Sequence, residues 1–188
     1  MRILTIDLDI LMHDRIPLYE EISNMISDPK SVWWQVKREH PTAQLDYDSK
    51  LLVDLGKVIQ KQECEIIFIE KHSEVVPHIK EPCDLTNVDF HHDIYYASKD
   101  YENDVYGDGN WVGYLDYKGL LKTYTWYGAP NSKQFSDLPC LQSLDYHDAK
   151  HLGKFDKVFV CKSPNWTPPV LWDLFDLLKN IYGVPKKE

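Results

Sequence analysis

Residues 3–10 read Ile3-Leu4-Thr5-Ile6-Asp7-Leu8-Asp9-Ile10, an apolar, β-branched run that ends among acids. A short continuous apolar run is the signature of a strand buried on both faces, as in the parallel sheets of α/β proteins. The same pattern recurs at Glu65-Ile66-Ile67-Phe68-Ile69-Glu70, at Leu121 to Tyr127 and at Lys157 to Cys161, and Asn87-Val88-Asp89-Phe90 reads as the end of another strand. Between these runs the spacing turns helical. Helices are predicted over Ile16 to Ile26, over Ser31 to Glu39, and after a Ser49 cap, where Leu51, Leu52, Leu55, Val58 and Ile59 recur. A short helix, Trp111 to Tyr117, ends at Gly119. Thr167-Pro168-Pro169 opens a last one through Ile181, with proline where a missing N–H costs little and with Gly183 and Pro185 as the stop. Strands alternating with helices predict an α/β fold: three α/β/α layers around a mainly parallel sheet.

The chain has 188 residues, the size of one domain spanning 1–188. Hydrophobic residues at 43% and charged residues at 27% describe a globular chain with a sizeable core. Its formal charge of −9 disfavours nucleic acid as a partner, because no basic field is present to release phosphate counterions, and favours cations or cationic substrates. No apolar run approaches the roughly 20 residues that cross a bilayer, and acids interrupt the opening segment where a signal peptide needs an apolar stretch. A cytoplasmic protein without a membrane partner is expected. Cys64, Cys83, Cys140 and Cys161 are scattered without a CxxC pair, which speaks against a zinc knuckle and for buried, reduced thiols.

Chemistry-bearing residues gather at predicted strand ends, where open α/β sheets bind ligands. Asp7 and Asp9 close the first strand, two apart and so on one face. Asp89, His91 and Asp93 share a parity in Asp89-Phe90-His91-His92-Asp93, and His72 follows the strand ending at Ile69-Glu70. Four carboxylates and two imidazoles suffice for two metal ions, and oxygen-rich ligation favours Mn²⁺ over Zn²⁺. Each motif also has a plainer reading, as a helix cap, a turn or a hydrogen-bonded histidine. Their joint occurrence is what singles them out.

These motifs resemble the arginase/deacetylase superfamily. Within it they are most similar to the uncharacterised protein family UPF0489, which includes peptide arginases that convert peptidyl arginine to ornithine. The resemblance is carried by Ile69-Glu70-Lys71-His72-Ser73-Glu74, by Val88 to Asp93, by Gly109-Asn110-Trp111-Val112-Gly113-Tyr114-Leu115 with Thr125-Trp126-Tyr127, and by Ser163-Pro164-Asn165-Trp166-Thr167-Pro168. It implies an arginase/deacetylase-like fold and a dinuclear manganese centre held by Asp7, Asp9, His72, Asp89, His91 and Asp93. In the family the DxD strand follows the DxHxD, whereas here it opens the chain, as after a circular permutation. No counterpart stands out for the glutamate that grips the guanidinium in arginases.

The leading expectation is hydrolysis of a C–N bond, with manganese-activated hydroxide attacking a guanidinium or related amide carbon in a cationic small molecule or peptide. His92, Glu70, Glu74 and His147 are candidate proton donors, and Asn110 and Trp111 candidate pocket residues, with core packing the alternative for Trp111. Two rivals remain at this level. One is a haloacid-dehalogenase-like phosphatase with Asp7 as nucleophile, Asp9 as acid/base and Mg²⁺ as cofactor, although Leu11 stands where that family prefers Thr or Val. The other is a non-catalytic module stabilised by metal, with Trp33-Trp34 and the polar segment Tyr95 to Gly109 as its binding surface.

Overall fold

A computed structural model describes residues 1–12, 16, 28–39, 47–95, 100–132 and 141–183. Six strands form one sheet: β1 (Arg2–Asp7), β2 (Ile66–Ile69), β3 (Cys83–Val88), β4 (Leu121–Gly128), β5 (Leu141–Asp145) and β6 (Lys157–Cys161). Their order is β2-β6-β1-β3-β4-β5, and every neighbouring pair is parallel. Helices α1 (Pro29–Glu39), α2 (Ser49–Gln60), α3 (Trp111–Tyr117) and α4 (Pro169–Tyr182) cover it.

Side-chain alternation along the strands sorts the core into two. Leu4 and Ile6 of β1, with Val158 and Val160 of β6, pack under α1, α2 and α4 through Trp33, Val36, Leu55, Val58, Leu171 and Phe175. Ile3, Phe159, Cys161 and Leu85 face the opposite layer, built from α3 and the 3-10 segment His72–His78 through Trp111, Val112, Leu115, Val75 and Val76. The three-layer α/β/α arrangement therefore follows from strands that are apolar on both faces. Gly119, at φ +66°, takes the left-handed turn that ends α3.

The details depart from the sequence expectation in four places. Asp48 caps α2, its carboxylate accepting from Leu51 N–H at 2.8 Å, and Ser49 is the first helical residue; the anion also suits the positive helix end. β1 stops at Asp7, and a 3-10 turn, Leu8–Met12, replaces its expected continuation to Ile10. β5 was not anticipated, because an edge strand carries Gln142 and Ser143 and lacks an apolar run. β3 begins at Cys83, where Asp84, Thr86 and Asn87 dilute the apolar alternation. The expected helix from Ile16 to Ile26 lies, beyond Ile16, outside the described residues, as do Cys140 and part of the Tyr95 to Gly109 segment. Trp33 is buried and Trp34 is 61% exposed, so the pair divides between core and surface. No described helix is long and apolar enough to cross a membrane.

Leu4 is fully buried on a central strand. Leu4→Ala should cost about 2–5 kcal/mol in urea unfolding, whereas exposed Val53→Ala should stay within about 0.5 kcal/mol. Asp48→Ala should cost about 1 kcal/mol by loss of the cap.

Candidate metal centre

Three chain segments meet at the carboxyl end of the sheet. β1 lies between β6 and β3, in a register that pairs Ile6 with Val88 and Asp7 with Cys161. Asp89, which follows Val88, thus emerges beside Asp7. His72 arrives from β2, across β6. Asp7, Asp9, His72, Asp89, His91 and Asp93 are all more than nine-tenths buried and line one cleft.

Turns, rather than strand parity, make the carboxylates converge. Asp9 N–H donates to Asp7 Oδ1 at 3.0 Å, His91 N–H to Asp89 Oδ1 at 2.8 Å, and Phe90 N–H to Asp9 Oδ1 at 3.1 Å. One oxygen of Asp7, Asp9 and Asp89 is thereby pinned to the backbone, and the other turns to the imidazoles. His72 Nδ1 stands 3.2 Å from Asp7 Oδ2, 3.1 Å from Asp89 Oδ2 and 3.0 Å from Asp93 Oδ2, while His91 Nδ1 lies 3.0 Å from Asp9 Oδ2. An imidazole N–H serves one acceptor well. Three oxygens around one nitrogen are instead the arrangement of ligands about a common cation. The geometry resolves into two triads, Asp7–His72–Asp89 and Asp9–Asp89–His91, which share Asp89.

Electrostatics points the same way. Among the described residues these carboxylates pair with histidines and with no lysine or arginine. Two like charges about 4 Å apart repel by about 4 kcal/mol at an effective dielectric of about 20, and burial adds several kcal/mol per ion. Burial, with the Asp89 charge next, pushes Asp9 up to about 6. Burial and the neighbouring Asp93 and Asp7 push Asp89 up to about 7. Asp7 and Asp93 are raised as well, mainly by burial. Burial works against a charged His72 ring, but the three carboxylates outweigh it and hold its pKa well above the ordinary value. Without a cation Asp89 still shares a proton near neutrality, and a divalent metal would relieve that conflict directly. The residues present fit a metal centre.

A polar layer beneath fixes these side chains. Thr5 Oγ1 donates to Asn87 Oδ1 at 2.6 Å, and Asn87 Nδ2 donates to Asp89 Oδ2 and to the Tyr124 hydroxyl, both at 3.1 Å. Trp126 Nε1 donates to the Asp89 carbonyl, and Trp111 Nε1 donates to Asp93 Oδ2 at 2.6 Å while its ring packs on His72. Asp93 is left-handed, with φ 52°, and its carbonyl accepts from Val112 N–H. Gly113 lets α3 approach this turn, because a Cβ there would stand 2.4 Å from the Ile94 carbonyl oxygen. Ser163, also left-handed at φ 47°, donates its hydroxyl to Asp7 Oδ2. Such strain in non-glycine residues is held where the surroundings over-determine it.

The remaining expected site residues lie elsewhere. His147 is exposed at the end of β5 and bonded to Asp145. Glu70 is exposed, with Oε1 3.5 Å from Lys162 Nζ, and Glu74 accepts from Glu70 N–H. His92 is buried, its Nδ1 accepting from Ile94 N–H and its ring edge-on to Trp126. Asn110 is buried and bonds Gly107 N–H, and Trp111 belongs to the core. None of these six lines the cleft, whose other walls are Asp108, Gly109, Ser163, Asn165 and Trp166. Sequence reasoning named none of these five as a site residue, although Asp108 and Gly109 lie in the Tyr95 to Gly109 segment offered as a binding surface, and Gly109, Ser163, Asn165 and Trp166 lie in stretches that carried the family resemblance.

Compared with protein-family models, curated proteins and solved structures, the chain finds no match in any of the three.

Two outcomes are expected. Trp111→Phe keeps the ring and removes the N–H held by Asp93, so calorimetric Mn²⁺ affinity should fall about 10–100-fold. In the metal-free protein Asp9, Asp89 and His72 all hold protons more tightly folded than unfolded. Their stabilising contribution is present on the acid side and is lost as pH rises through about 6 to 7 and beyond, the His72 share last. The metal-free melting temperature should therefore drop between about pH 5 and about pH 8, while Mn²⁺ affinity climbs with proton release. A metal-free melting temperature that rises over this range contradicts the charge account.

Proposed function

We propose that the protein is a metal-dependent hydrolase of C–N bonds, acting on a guanidinium, as in peptidyl arginine, or on a related amide or amidine. The observation that carries this reading is the pair of buried Asp/His triads sharing Asp89. Asp7, His72, Asp89 and Asp93 would hold one ion, and Asp9, Asp89 and His91 the other. Hard carboxylate oxygens with two imidazoles suit Mn²⁺. When bound, such a pair of ions would acidify water and stabilise the negative charge that develops on oxygen as it adds to the carbon.

The chain's own residues supply the rest. Backbone N–H groups and the Ser163 hydroxyl hold the carboxylates, and Trp166, its ring centroid 4.7 Å from that of His91, walls the cleft beside a ligand. Departure of the amine calls for a proton donor in reach of the cleft. The choice of substrate is taken from the resemblance of the His72, DxHxD and Ser-Pro segments to the peptide-arginase family alone. The phosphatase alternative draws on Asp7 at the end of a central strand, but it leaves His72, His91 and Asp93 without a task.

With Mn²⁺ the protein should release urea from arginine-containing peptides, and Asp89→Asn or His91→Ala should abolish release together with stoichiometric metal. Full metal content in either variant overturns the ligand set. Phosphate release from p-nitrophenyl phosphate with Mg²⁺, dependent on Asp7 and indifferent to His91, would transfer the site to the phosphatase reading. A chelator that lowers the melting temperature while both assays stay silent favours the non-catalytic module.

A further inference from the structure

We infer that Asp108 and Trp166 form a cation-selecting rim on the cleft, which admits a guanidinium or ammonium group and discriminates against its neutral isostere. The inference rests on the hydrolase reading for the fate of the bound group, and on the cleft alone for its binding.

The cleft is a cavity of about 330 Å³, of the size that takes a side chain or small ligand. Two loops unrelated in sequence meet at it. Asp108 comes from the segment before α3, and Trp166 from the turn between β6 and α4. Asp108 is held in place, because its Oδ1 accepts from Ser73 N–H at 3.1 Å and from Ser73 Oγ at 2.6 Å. Ser73 adjoins the ligand His72, so the rim and the metal centre are braced together. Among the described residues Asp108 Oδ2 has no partner. Trp166 is fixed by its backbone N–H, which donates to the Ser163 carbonyl at 2.9 Å, and by its ring against His91.

The charge count sharpens the case. The four ligand carboxylates carry −4; two divalent ions cancel it, and one leaves −2. In either state Asp108 adds a negative charge that nothing offsets, since no lysine or arginine is among the described residues lining the cleft. A carboxylate and an indole lining one cleft can both serve a positive nitrogen group: the carboxylate by a charge-assisted hydrogen bond, the ring by its negative face. A neutral urea of the same shape gains neither in full.

The test uses the Mn²⁺-loaded full chain and ligand-observed NMR titration, which reports binding whether or not turnover follows. Butylguanidinium and butylammonium are compared with butylurea, and metal content is measured in every sample. The cations should bind about tenfold more tightly than butylurea, the order of a charged hydrogen bond. Asp108→Asn keeps an acceptor for Ser73 and should erase the preference, weakening the cations and sparing butylurea. Trp166→Leu should weaken both cations several-fold at unchanged metal content. Wild-type protein that binds no cation, or binds butylurea equally well, overturns the rim, as does an Asp108→Asn variant that keeps the preference. Failure to take up metal overturns the hydrolase reading instead, and the same titration on metal-free protein then decides the rim separately. If butylguanidinium binds and butylammonium does not, the rim reads a planar guanidinium specifically.

Discussion

Four carboxylates buried within a few ångströms of one another constrain this molecule more than any other feature. Each would prefer water, and each repels the others, so the fold is tolerable only with protons or cations among them. Much local detail answers that demand. Backbone N–H groups hold one oxygen of Asp7, Asp9 and Asp89, indole N–H groups brace Asp93 and the Asp89 carbonyl, and two imidazoles stand where the remaining oxygens converge. A chain of side chains from Thr5 through Asn87 to Tyr124 carries the same order into the sheet. An interior that only needed to pack would hold apolar residues here.

The sheet makes the cluster possible by its order. β1 is placed between β6 and β3, so the DxD turn at one end of the chain lies beside the DxHxD turn some eighty residues on, while β2 delivers His72 from beyond β6. The loops at this end then build the walls. The segment before α3 brings Asp108, and the turn after β6 brings Ser163, Asn165 and Trp166. An acidic cluster laid on strand ends and cleft walls laid on loops can change independently, as sites in α/β folds commonly do.

Much of this was legible in the residues. Apolar runs marked β1, β2, β4 and β6 because strands buried on both faces need them, and acids closing such runs marked a site because acids are otherwise costly there. The parity argument brought Asp7 to Asp9, and Asp89 to His91, for the wrong local reason: β1 ends at Asp7, the first residue of its motif, and β3 at Val88, just before its own, so Asx-type turns do the work. β5 escaped because an edge strand need not be apolar, and the Asp48 cap because Ser49 beside it has equal capping chemistry. His92, Glu70, Glu74 and His147 suggested themselves by proximity in sequence, which says little about proximity in space.

The amino-acid sequence alone determined the layering, the parallel sheet and the supply of metal-binding groups, because periodicity and residue chemistry are local properties. Tertiary structure alone decided that β1 neighbours β3, that Asp89 is shared between two triads, and that Asp108 and Trp166 face one cleft. Those facts depend on strand order and loop closure between residues far apart along the chain, where pattern carries no information and packing selects the arrangement.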